Sequence, residues 1–167
     1  MNEKASSFIN YIIRHGLNNQ AGRKLVTLNL SELSEKIKTI GILPWVGDDQ
    51  HQLNFADALE LKGYKVERIV YKKGFPLYDA YQKNIDVLIL DWVHSFYISH
   101  SILVSLLKSA LQLLDRLLIK KRTVPIIWNM HNLHRHDRKF IKLEKYNFKK
   151  LASCVDGIRV FNEHSIE

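Results

Sequence analysis

The chemistry in this chain is concentrated between Val124 and Asp137, V-P-I-I-W-N-M-H-N-L-H-R-H-D, where three histidines follow directly on an apolar run. An imidazole titrates near neutrality, so His131 can act as a general base or donate a hydrogen bond to a developing negative charge. Asp48, Asp49 and Asp91 are the carboxylates that could orient it or take its place. His131, His134 and His136 could instead hold a metal, but separations of three and two residues match neither the H-E-x-x-H helix nor a Cys/His finger. No metal and no other cofactor is expected. Gly41 and Gly47 enclose five residues and so do not make G-x-G-x-x-G, and neither a phosphate loop ending in Gly-Lys-Ser/Thr nor a Gly-x-Ser-x-Gly elbow occurs.

The elements that must position these groups follow from hydrophobic pattern. Val124, Ile126, Ile127, Trp128 and Met130 read as a strand buried on both faces. Further strands are expected at Lys38–Leu43, Val66–Tyr71, Asp86–Asp91 and Gly157–Phe161. Between them the pattern predicts a helix starting near Asp48–Gln50 under an aspartate cap and stopping at Gly63, then a helical turn at Tyr78–Gln82. A helix over Ile98–Lys121 and a basic amphipathic helix over Arg138–Leu151 complete the set. Alternating strands and helices give an α/β domain, a Rossmann-like parallel sheet of about five strands with helices on both faces. Residues 1–36 read as an amino-terminal extension, partly helical at Ala5–Arg14, and 37–167 as the Rossmann-like domain.

Seven of the eight histidines, His51, His94, His100, His131, His134, His136 and His164, follow closely on an expected strand or open the next helix. In a parallel sheet such positions share one rim, so a binding site is expected there. The totals limit its partners. With 167 residues and 46% hydrophobic content, one globular domain is expected. A single cysteine excludes an internal disulfide framework and suits a reducing cytoplasm. A formal charge of +8 favours an anionic partner, although without a recognised motif nucleic acid is not expected. The apolar stretch Ile102–Ile119 is interrupted by Lys108, Gln112, Asp115 and Arg116, which argues against a membrane span and for a buried or surface-docked helix. No secretory signal is read at the amino terminus.

Three segments resemble the amino-terminal half of GT-B-fold glycosyltransferases of bacterial polysaccharide assembly. They are I-G-I-L-P-W-V-G-D-D-Q-H-Q-L-N-F-A-D-A-L-E-L-K-G-Y-K-V at Ile40–Val66, D-V-L-I-L-D-W at Asp86–Trp92 and W-N-M-H-N-L-H-R-H at Trp128–His136. The resemblance covers about Lys38–Glu167. It implies an acceptor-binding half that transfers a sugar only when a second half or partner subunit supplies the nucleotide-sugar site, acting on a sugar or lipid-linked acceptor. His131 and Asp91 are then the candidate catalytic residues, although many relatives carry histidine where Asp91 stands. Trp45, Gly47, Asp48, Asp49, His94, Asn132, His134 and His136 are the candidate substrate-binding residues. The location implied is cytoplasmic, with peripheral contact at the inner face of the plasma membrane. An alternative reading is a non-catalytic module whose helix Arg138–Leu151 docks on an acidic membrane or carbohydrate.

Overall fold

The computed structural model describes residues 37–71, 74–119, 123–131 and 140–160. The expectations for the extension 1–36 and for Asn132, His134, His136 and His164 lie outside them. Five strands form one sheet: β1 (Thr39–Leu43), β2 (Lys65–Arg68), β3 (Val87–Leu90), β4 (Ile126–Met130) and β5 (Gly157–Val160). Their order is β2-β1-β3-β4-β5 and every pairing is parallel. The helices are α1 (Gln50–Glu60), α2 (Pro76–Tyr81), α3 (Ile102–Leu118) and α4 (Ile141–Ala152), with a 3-10 turn at Val93–Phe96. This is the flavodoxin-like form of the doubly wound fold.

Side-chain alternation divides the core in two. Ile40, Ile42, Val87, Ile89 and Ile127 point to one face, where α1 covers them with Ala56 and Leu59. Leu43, Leu88, Leu90, Ile126 and Trp128 point to the other, against Leu77 and Ala80 of α2 and Phe148 and Leu151 of α4. β3 is buried at all four positions, as a central strand covered on both faces must be.

Several elements depart from their expected bounds. β2 ends at Arg68 and not Tyr71, because its partner β1 ends at Leu43 and the last pair is Ile42 with Arg68. α2 starts at Pro76, two residues earlier than expected. Proline suits a first helical turn, and Asp115 Oδ2 and Oδ1 accept the otherwise unpaired N–H groups of Leu77 and Tyr78, each at 2.8 Å. α3 starts at Ile102 and not Ile98, since Phe96, Tyr97 and Ile98 are taken into the core before the helix begins.

α3 is inside out. Its buried row is Ser105, Ser109, Gln112 and Asp115, while leucines face outward. The buried row is satisfied by polar neighbours. The Ser99 amide donates to Ser105 Oγ at 2.9 Å, and Asn147 Nδ2 of α4 donates to Ser109 Oγ at 2.8 Å. Among the described residues no helix is long and apolar enough to cross a membrane.

Candidate functional site at the carboxyl ends of β1, β3 and β4

In a 2-1-3-4-5 sheet the chain leaves β1 toward one edge and β3 toward the other, which opens a crevice above their carboxyl ends. Asp91 stands in that crevice, one residue past β3 and 3% exposed. Its backbone is fixed by the Asp91 amide donating to Leu43 O at 2.9 Å. Its side chain bridges two other segments. Oδ1 pairs with Nε2 of His131, one residue past β4, and Oδ2 accepts from Gln52 Nε2 at 2.6 Å. Burial of an aspartate demands such partners.

Gln52 was not anticipated as a site residue. Fully buried in α1, it also donates to Pro44 O at 2.9 Å and accepts from the Val46 amide at 2.7 Å, tying the β1 loop to Asp91. A signal was present, since Asp49 and Gln52 have the Asp-x-x-Gln spacing of a capping box. Asp49 is the cap as expected, with Oδ1 accepting from the amides of His51 at 2.9 Å and Gln52 at 3.3 Å. Its other oxygen accepts from Trp92 Nε1.

Trp92 in turn stacks on the His131 ring, with centroids 4.3 Å apart and planes 8° from parallel. His51 meets the same ring edge-on at 4.9 Å. The His131 imidazole is thus held by a carboxylate, an indole face and a second imidazole. Asn129 of β4 lies two residues before it in the extended chain and so on the same face. Asn129 is 1% exposed, and neither end of its carboxamide has a hydrogen-bond partner among the described residues. A buried carboxamide left without any partner costs about 1–3 kcal/mol. Arg159 of β5, paired in register with Asn129, lies over the Phe55 ring at 5.5 Å. Burial lowers its pKa, and the charge of Asp91 pulls it back up.

The other expected site residues are distributed as follows. Trp45 packs beside the α1 core and under Arg68, 5.2 Å from the guanidinium carbon. Gly47 and Asp48 are exposed in the β1 loop. His94 is directed to the opposite face of the sheet, where Nδ1 lies 2.9 Å from Glu144 Oε1 beside Phe148. His131, Asp91 and Asp49 are therefore gathered at one place, with His94 on another. His51, Asp91 and His131 each offer one metal-ligating atom, and these atoms lie within 4.8 Å of one another.

No family model matches the chain, and no curated protein matches it. Among solved structures it is similar to the crystal structure of the receiver domain of the TMAO respiratory system response regulator TorR. The two are 20% identical with a TM-score of 0.41, over 74% of this chain and 82% of that one. That neighbour is a receiver domain and not the acceptor half of a glycosyltransferase. The resemblance to GT-B enzymes is borne by none of the three comparisons and is withdrawn, and with it the reading of a truncated enzyme of polysaccharide synthesis with a nucleotide-sugar donor and a lipid-linked acceptor. The membrane- or carbohydrate-docking alternative is corrected as well. α4 turns Phe148 and Leu151 into the core together with Glu144 and Asn147, so these apolar groups support the sheet and cannot face a bilayer.

Proposed function

We propose that this domain binds a small polar ligand in the crevice above β1, β3 and β4 and exchanges a proton with it through His131. Asp91 is the positioning carboxylate, and Trp92 and Gln52 fix the pair. The observation that carries this reading is the buried Asp91 shared between His131 and Gln52 at the crevice of the fold. An imidazole oriented by a buried carboxylate is a recurrent acid–base device. The positive chain favours ligands bearing phosphate or carboxylate.

A second reading is supported by the cluster of ligand atoms. Two imidazoles and one carboxylate are the donor set of zinc and non-haem iron sites that keep positions open for water or substrate.

One series of experiments separates the two. Imidazole nitrogen NMR of the intact chain would be followed during titration with inorganic phosphate, nucleotides and small carboxylates, and separately with zinc. Ligand-dependent shifts at His131 that survive His51→Ala and vanish in His131→Ala support the proton-transfer reading. Saturable one-to-one zinc binding, lost in both variants and in Asp91→Asn, supports the metal reading. Shifts confined to residues remote from the crevice would overturn both.

A further inference from the structure

The outward face of α3 carries no charged residue. It consists of Ile102, Leu103, Val104, Leu106, Leu107, Ala110, Leu114, Leu117 and Leu118, all exposed, with Leu103 at 75% and Leu117 at 63%. Within it, Leu103, Leu107, Ala110, Leu114 and Leu117 are spaced four, three, four and three residues apart. That is the alternation of a seam made for another helix packed at a shallow crossing angle.

The seam is also nearly symmetric about its middle. An antiparallel copy placed with Ala110 on the twofold axis brings Leu103 opposite Leu117 and Leu107 within one residue of Leu114. Ala110, the smallest side chain of the row, falls where the two backbones come closest. We infer that α3 is the interface of a homodimer, in which two copies of this chain pair antiparallel about Ala110.

Three observations favour a second copy over other occupants. The seam is complementary to its own inverted image, which an isologous contact requires. The open apolar surface of α3 is on the order of 800 Å², which is what each partner contributes to a standard stable interface. Charge points the same way, because copies carrying +8 repel one another wherever their basic surfaces meet, and an uncharged face avoids that cost. A helix that lies on lipid has a lysine- and arginine-rich face turned toward headgroups. The polar row of α3 is instead buried against α2 and α4: Asp115 caps α2, and Ser109 bonds Asn147.

The experiment is sedimentation equilibrium of the intact chain, from about 1 to about 200 µM, a range that covers affinities of ordinary homodimers. Twice the chain mass is expected, and Leu107→Glu and Leu114→Glu should each return the monomer with unchanged circular dichroism. Orientation is read by oxidation in a Cys154→Ser background. Ala110→Cys should cross-link to itself; Leu103→Cys alone should not; Leu103→Cys with Leu117→Cys together should. Ala110→Cys leaves the leucines in place, so the interface can be tested even where a glutamate variant fails to fold. A monomer at the highest concentration would overturn the inference. So would self-cross-linking of Leu103→Cys, which requires a parallel pair, or binding to anionic vesicles that Leu107→Glu abolishes.

Discussion

At Gln52 a single carboxamide holds the site together. It donates to Pro44 O and to Asp91, and accepts from Val46, so its loss would leave a buried carboxylate, a carbonyl and an amide each short of a partner. Gln52→Ala is therefore expected to cost roughly 1–3 kcal/mol per abandoned buried group that water does not reach, read from urea unfolding. Because Gln52 fixes one oxygen of Asp91, the same variant should broaden the His131 imidazole resonances, whereas Asn54→Ala on the exposed side of α1 should not. His131 was legible in the sequence as a polar residue directly after an apolar strand. Its partners were only partly legible: Trp92 and His51 were visible as residues near strand ends, but stacking and edge contact depend on loops from three strands meeting.

Among the elements, α2 and α3 illustrate how one helix is stabilised by another. α2 has six residues and no side-chain cap of its own, so it depends on Asp115 from α3. Burial pushes the Asp115 carboxyl up to about 6, against the pull of the Leu77 and Tyr78 amides. A carboxyl whose folded value is raised contributes stability that is fully present below its unfolded value near 4. That contribution is lost as pH rises through the folded value near 6. Relative to wild type, Asp115→Asn should therefore gain stability as pH rises from about 4 to about 7, as measured by urea midpoints at each pH. A difference that stays flat across that window would show that the carboxyl does not titrate there. The pattern predicts the helix at Ile98–Lys121, found as α3 (Ile102–Leu118), but does not give its orientation. Leucines outnumber polar residues so heavily that periodicity alone favours burying the leucines.

For the whole molecule, the sheet order sets where stability resides. β1, β3 and β4 have strands on both sides, whereas β2 and β5 are edges. Amide exchange should be slowest at Ile42, Ile89 and Ile127, approaching the global unfolding free energy, and faster along Lys65–Arg68. Faster exchange at β3 than at β2 would contradict a single core organised around the central strands. The crevice rests on the strands expected to be the most protected, which suits a site that must hold a buried aspartate in one orientation.

By itself the sequence determined the α/β class, about five strands, an aspartate cap near Asp48–Gln50 and the location of Asp91 and His131 at strand ends. These follow from local periodicity, capping chemistry and the change from apolar to polar residues, all of which act over a few neighbouring positions. Tertiary structure alone decided the rest: that Gln52 and Trp92 lock the Asp91–His131 pair, that His94 joins Glu144 on the opposite face, and that α3 turns its serines inward. Each depends on contacts between residues far apart in the chain. His131 and Asp91 are separated by 40 positions and His94 and Glu144 by 50, and only the order in which the strands assemble brings them together.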